Sequence, residues 1–161
     1  MSDSVWFTPL HPVDAEMARR SVLAQHVHIR GLLLRAQETA TDALEGVSTR
    51  PDVVVSAIGD IRTTMEIHLA FEERVLVPLL DGDLPLGPER ARRMLAEHGR
   101  QRAVLASLHR EAVEVGELPT LSIKLGFLTS WLLADMEEEE RDLLIPDVIR
   151  DDQITINQSS G

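Results

Sequence analysis

Apolar residues recur every three or four positions along most of the chain, and glycines and prolines collect between the segments that carry this pattern. Such spacing is typical of a helix that buries one face. The breakers form three internal groups: Gly46 with Pro51, a cluster at 82–88, and Gly116 with Pro119. The pattern therefore predicts four helices of similar length.

The predicted ends of these helices carry matching chemistry. Asp14 and Thr120 are expected to cap the first and fourth helices, while Pro51 and Pro88 suit first helical turns. Three glycines stand where left-handed residues end helices: Gly46, Gly82 and Gly116. Similar helices joined by short loops favour an all-α, up-down-up-down antiparallel four-helix bundle. We expect this bundle at 14–150, with an N-terminal arm at 1–13 and a polar tail at 151–161.

Composition narrows the classes of protein that fit. A length of 161 residues suits one domain, and an aromatic content of 3% gives strands little support. The net charge of −11, without a basic cluster, argues against nucleic-acid and anionic-membrane partners. The absence of cysteine excludes disulfides, zinc thiolates and iron–sulfur clusters. No apolar run is long enough to span a membrane, and no leader pattern is visible, so we expect a cytoplasmic protein.

Ionisable residues interrupt the apolar seams of the predicted helices. In the first helix His26 lies on the seam, whereas His28, two positions later, falls on the opposite polar side at ~100° per residue. The predicted seams run, helix by helix, through Leu23, His26, Arg30, Leu33 and Gln37; through Ile58, Ile61, Met65, His68, Glu72, Val75 and Leu79; and through Met94, His98, Gln101, Leu105 and Leu108.

Four of these inward residues fall at one height in an antiparallel bundle. Counted along the helices at ~1.5 Å per residue, they lie in one layer, roughly 10–18 Å from the same end. Ionisable groups in a core are costly unless they are paired, and a metal ion removes that cost. Imidazole together with carboxylate suits iron or manganese. The four residues are His26, His68, Glu72 and His98.

The fourth helix offers two registers for further ligands. Aligning its Glu-Glu-Arg triplet with that of the second helix selects Asp135 and Glu139, whereas aligning their prolines selects Met136 and Glu140. Glu140 lies about 80° from the apolar centre of this helix. We take Asp135 and Glu139 as the inward pair and keep Met136 and Glu140 as the alternative.

The order of these motifs resembles the haemerythrin-like (HHE cation-binding) family over about residues 14–149. The motifs are His-x-x-x-Arg, His-x-x-x-Glu-Glu, a single His, and a fourth helix with Glu-Glu-Arg. The resemblance implies a non-haem di-iron site inside the bundle, in which carboxylates and an oxo or hydroxo oxygen bridge two iron ions. The ligands implied are His26, His68, Glu72 and His98, with Glu139 as the second carboxylate.

Two positions depart from the pattern of the family. Asp135 stands where the family usually has His, and Arg102 stands where oxygen-carrying members have a second His on the third helix. Because carboxylate also binds iron, Asp135 keeps the site while making it more anionic, which favours ferric iron over simple O2 carriage. Arg30 and Arg102 either pair with ligand carboxylates or extend into solvent.

These observations predict a protein whose iron centre binds, reduces or senses O2 or peroxide. No nucleophile, phosphate loop or separate acid–base group supports catalysis on an organic substrate. The alternative is a helical interaction module in which a metal only stabilises the fold. A metal store is disfavoured because one small site holds few ions.

Overall fold

The structure is a computed structural model that describes residues 14–47, 50–81, 85–114, 116–145 and 148–149. The described residues form four α-helices and no strand, so the predicted all-α antiparallel four-helix bundle is confirmed. The predicted arm at 1–13 and tail at 151–161 lie outside the described residues, and the division at these points stays a prediction. The helices are α1 (Ala15–Leu44), α2 (Pro51–Leu80), α3 (Gly87–Glu114) and α4 (Leu118–Asp142).

Local chemistry explains most of the helix ends. The Asp14 carboxylate accepts hydrogen bonds from the N–H groups two and three residues later, at 3.0 and 3.2 Å, and so caps α1. Pro51 is the first residue of α2 and Pro88 the second of α3. Gly46 and Gly116 adopt φ values of 75° and 63° after α1 and α3, a conformation that glycine adopts without steric cost.

The expected cap of α4 was wrong. This helix begins at Leu118, with Glu117 as its N-cap, so Thr120 lies inside the first turn. Pro119 explains the earlier start, because a first-turn proline has no N–H to leave unpaired and its φ is already helical.

The apolar core forms two clusters that are separated along the bundle axis. The larger cluster is built mainly from the later half of α1, the first two thirds of α2 and their partners, including Ile29, Leu33, Leu69, Leu105 and Met136. The smaller cluster lies at the other end and contains Ala15, Ala18, Val22, Val75, Leu76, Met94, Leu144 and Ile149. Each helix contributes to the larger cluster, and the interval between the two clusters falls at the predicted polar layer.

The buried line of α1 differs from the predicted seam. It shares His26 and Leu33 with the prediction, but Leu23, Arg30 and Gln37 are only partly buried. Their side chains lie at the rim of the helix, and Gln37 donates to Ser130 of α4 at 3.1 Å. The buried positions of α1 are Ala15, Ala18, Val22, His26, Ile29, Leu33, Ala36 and Ala40.

The four helices do not pack equally closely. Helix α1 contacts α2 and α4 extensively, and α3 packs on α2, but the neighbouring pair α3 and α4 makes few contacts. The bundle is therefore most open along the α3–α4 seam. Among the described helices, none is both long and apolar enough to span a lipid bilayer.

Candidate metal centre

The predicted polar layer brings side chains from all four helices together. His26 of α1, His68 and Glu72 of α2 and His98 of α3 are all buried. Glu139 of α4 joins them with 12% of its side chain exposed. In the described part of the chain, one ligand atom from each of His26, His68, Glu72 and Glu139 lies within 4.8 Å of the others. This grouping is compact enough to hold a metal ion.

The Glu72 carboxylate lies at the centre of the layer and is shared between its two sides. Its Oε1 is 3.1 Å from Nε2 of His68 and 3.4 Å from Nε2 of His26. Its Oε2 is 3.2 Å from Nε2 of His98. The two oxygens therefore face different imidazoles, an arrangement that suits a carboxylate bridging two cations.

Each of the three imidazoles uses its other nitrogen for a hydrogen bond outside the layer. The Nδ1 pairs, in order, are His26 with Glu140 Oε1 at 2.8 Å, His68 with Gln25 Oε1 at 2.9 Å, and His98 with Glu73 Oε1 at 3.0 Å. Carboxylate and amide oxygens only accept, so Nδ1 carries the proton in each ring. Nε2 is then the nitrogen that faces the layer, as in histidines that bind metals.

Several buried polar atoms in the layer have no hydrogen-bond partner. Buried polar atoms are almost always paired in folded proteins, so a group of exceptions needs an explanation. Imidazole nitrogens and carboxylate oxygens are a donor set that iron or manganese accepts. In the described part of the chain the unpaired atoms are His26 Nε2, Glu72 Oε1, Glu139 Oε1 and Gln101 Oε1. Three of these four atoms belong to the candidate site, so the residues present fit a metal.

The charges in the layer also favour a cation. Burial raises the pKa of Glu72, but the three imidazoles close to its carboxylate outweigh this effect and hold the pKa well below its usual value. Burial and the neighbouring charge of Glu72 raise the pKa of Glu139. Burial lowers the pKa of His26, yet the nearby carboxylates of Glu139 and Glu72 raise it overall to about 10. The buried carboxylates thus stabilise positive charge at this point, whether a proton or a metal ion carries it.

The four residues of α4 that the two registers selected lie in different environments. Glu139 contacts His26 Nε2 at 3.5 Å, and Met136 is buried in the larger apolar cluster. Glu140 contacts His26 from outside, through Nδ1. Asp135 is partly buried, and burial raises the pKa of its carboxylate. Asp135 is not in the compact group around His26, so its role as a ligand stays a prediction.

Gln101 of α3 supports Asp135. Its amide donates to Oδ2 of Asp135 at 2.5 Å, while its own side chain is 1% exposed. Gln101 follows His98 by three residues and therefore lies on the same face of α3. The sequence pattern places Gln101 on the seam of α3 but indicates no function for it.

The two arginines next to the ligand positions pair with glutamates that lie outside the set of six predicted ligands. Arg30 donates to Glu140 Oε1 at 2.8 Å. Arg102 donates to both oxygens of Glu73, at 2.6 and 3.2 Å. The sequence pattern left ligand carboxylates or solvent as the partners of these arginines and did not indicate Glu140 and Glu73. The signal that could have indicated them is that a histidine that binds a metal through one ring nitrogen usually donates the N–H of its other ring nitrogen to a carboxylate or carbonyl oxygen.

His28 and His109 lie away from the layer. His28 is exposed, on the side of α1 opposite His26. His109 contacts Arg62 of α2 at 2.9 Å. His11 lies outside the described residues. None of these three belongs to the compact group of ligand atoms found in the described residues.

The open α3–α4 seam forms a cleft of about 590 Å³ that reaches the layer. His98, Asp135 and Glu139 line this cleft, so three of the six predicted ligands are accessible from it. The cleft is also lined by four arginines of α3: Arg90, Arg92, Arg93 and Arg100. The cleft therefore lies on the His98 side of the layer.

Comparison with known proteins gives one match. The family described as "Hemerythrin HHE cation binding domain" matches residues 17–144, which include all six predicted ligands. No curated protein and no solved structure matches the chain.

Proposed function

The chain belongs to the hemerythrin HHE cation-binding family, and from this premise we propose that it is a non-haem di-iron protein that binds, reduces or senses O2 or peroxide. Membership of the family and the candidate His/Glu site both support cation binding. The choice of iron, the number of two ions, the oxygen species as ligand and a cytoplasmic location belong to the proposal.

One observation carries this proposal. Three buried imidazoles direct Nε2 toward the two oxygens of Glu72, and all three keep Nδ1 occupied by an outer acceptor. A set of ordinary buried histidines would use both nitrogens for hydrogen bonds within the protein, because unpaired buried nitrogens are costly. Here His26 Nε2 has no hydrogen-bond partner.

The residues divide into two groups around Glu72. His26, His68 and Glu139 lie with Oε1 and would hold one ion, while His98 lies with Oε2 and, with Asp135, would hold the other. When bound, iron supplies Lewis acidity and one-electron redox chemistry. The apolar clusters lie on both sides of the layer along the bundle axis, and the α3–α4 cleft is the route by which small molecules would reach its His98 side.

The composition of the ligand set favours reduction or sensing over reversible O2 carriage. Asp135 stands where the family usually has a neutral imidazole, and Arg102, a cation without a free lone pair, is no ligand and pairs instead with Glu73 and Glu66. More anionic oxygen and less imidazole nitrogen stabilise the ferric state. A centre that stays ferric does not release O2 unchanged.

Iron content and an absorption spectrum test the proposal. We expect about two iron ions per chain after expression with ample iron or after anaerobic loading with Fe(II), with spectral changes on addition of O2 or peroxide. Mn(II) loaded in parallel tests the choice of metal. The Glu72→Ala variant, which removes the shared carboxylate, should lose both ions. Wild-type protein that neither retains nor takes up iron contradicts the proposal.

An exposed apolar surface favours the second candidate, the metal-stabilised interaction module. Phe127 and Ile123 of α4 are 75% and 49% exposed, and they line a groove of about 460 Å³ with Leu44 of α1. Contiguous exposed apolar side chains often mark contacts with other proteins. An iron-loaded protein whose spectrum does not respond to O2 or peroxide would favour this candidate.

A further inference from the structure

Two of the candidate ligands are connected to the surface by matching chains of hydrogen bonds. In one chain Arg30 of α1 donates to Glu140 of α4, whose same oxygen contacts Nδ1 of His26. In the other, Arg102 of α3 donates to Glu73 of α2, whose Oε1 contacts Nδ1 of His98. Each of these two hydrogen-bond networks joins two helices, and the two networks end on different histidines of the polar layer.

The two hydrogen-bond networks share the sequence arginine, glutamate, histidine, and their arginines and glutamates are also equally exposed. The side chains of Arg30 and Glu140 are 29% and 27% exposed, and those of Arg102 and Glu73 are 29% and 28% exposed. Both pairs therefore lie at the rim of the bundle, where water competes for the glutamate. Held by a guanidinium, the glutamate keeps its oxygen on Nδ1 and so fixes the orientation of the ring.

We propose that Arg30 and Arg102 are positioning residues for the metal centre, acting through Glu140 on His26 and through Glu73 on His98. This inference rests on the proposed function, since it concerns the affinity and geometry of the same site. It also gives Arg102 a role: at a position where a direct ligand is absent, the arginine orients the ligand that precedes it by one helical turn.

The contacts of the two arginines predict that replacement by lysine has different effects at positions 30 and 102. Arg102 donates to both oxygens of Glu73, and its Nε donates to Glu66 at 3.1 Å. Arg30 donates to Glu140 through one nitrogen only. Lysine offers a point charge and cannot form a fork. Arg30→Lys should therefore preserve the metal centre, and Arg102→Lys should not.

Binding of cobalt(II) to the full-length protein provides the test. Cobalt(II) is not oxidised by air as readily as iron(II), and its visible spectrum reports the coordination geometry. The variants are Arg30→Gln and Arg102→Gln, each with its lysine counterpart. Arg20→Gln on α1 and Arg110→Gln on α3 are the matched controls, since both residues are exposed and neither contacts the metal layer. The measurements are cobalt affinity by chelator competition, the visible spectrum, and the melting temperature of metal-free protein.

We expect a roughly 10- to 100-fold loss of cobalt affinity and an altered spectrum in both Gln variants, with less than about twofold loss in the controls. The melting temperature of the metal-free Gln variants should match that of the controls. Lysine should restore affinity and spectrum at position 30 but not at position 102.

Two results would overturn the inference. One is a cobalt affinity and spectrum in the Gln variants that equal those of the controls. The other is a loss of affinity that only follows a lower melting temperature of the metal-free protein, which indicates a purely structural role. Failure of the wild-type protein to bind cobalt or iron would instead contradict the proposed function, so the two failures are distinguishable.

Discussion

Glu140 Oε1 lies 2.8 Å from Nδ1 of His26, on the side of the imidazole ring that faces away from the polar layer. The preceding residue, Glu139, approaches Nε2 of the same ring at 3.5 Å. Two consecutive glutamates of α4 thus contact the two nitrogens of one histidine. Their charges are alike and they are adjacent in sequence, but only Glu139 lies on the metal side.

Glu139 and Glu140 should therefore respond differently to replacement by alanine. Glu139→Ala removes an oxygen from the layer and should empty one metal position or both. Glu140→Ala removes only the outer acceptor of His26 and should weaken metal binding by roughly 10- to 100-fold without changing the number of ions at saturation. Iron titration of both variants makes the comparison. A Glu140 variant that is empty beside a loaded Glu139 variant would favour the Met136/Glu140 register.

His26 and His28 form a second matched pair. His26 is fully buried with Nε2 in the polar layer, whereas His28 is exposed on the opposite side of α1. His26→Ala should lower iron occupancy strongly, and His28→Ala should leave it at the wild-type value. Elemental analysis of the two proteins purified side by side gives the answer. Equal losses would mean that His26 is not a ligand.

Asp135 and Met136 should separate metal binding from packing. Asp135→Ala should lose metal, and Asp135→His should keep it, because imidazole also binds iron. Met136 is 2% exposed in the larger apolar cluster. Met136→Ala should leave the metal content unchanged but lower the free energy of unfolding by about 2–5 kcal/mol. Denaturant unfolding and metal analysis of the same preparations measure both effects, and loss of metal in the Met136 variant would contradict the assignment.

Removal of metal should lower the stability of the bundle without removing its helices. A ligand at 100 times its Kd stabilises the native state by about 2.7 kcal/mol. In a protein of this size that corresponds to a melting temperature lower by roughly 5–10 °C after removal. The apolar clusters remain, so the far-ultraviolet circular dichroism at 20 °C should change little. Identical melting curves with and without metal would show that the layer is satisfied by its own hydrogen bonds.

The helices and most inward positions could be predicted because they produce periodic signals. On α3, all five residues of the predicted seam from Met94 to Leu108 are buried. Breakers marked the loops, and Asp14 marked the first cap. The order of polar residues on the seams was enough to indicate the family.

The supporting residues could not be predicted in the same way, since they produce no period. Gln25, Glu73 and Glu140 are partly buried polar residues at helix rims, where polar residues are ordinary. Which of them reaches an imidazole depends on the angle and height at which two helices meet. His68 and Gln25, for example, are far apart in sequence and come within 2.9 Å only through the packing of α1 on α2.

The division of the core into two apolar clusters has a consequence for cooperativity. The smaller cluster has about half as many buried side chains as the larger one, and the polar layer lies between the two. Without a bound cation, this end is connected to the rest by charged groups rather than by continuous apolar packing. Local opening there then requires less free energy than global unfolding. A cation bound in the polar layer would connect the two clusters, and we expect its removal to let amide hydrogens at this end exchange before those of the larger cluster.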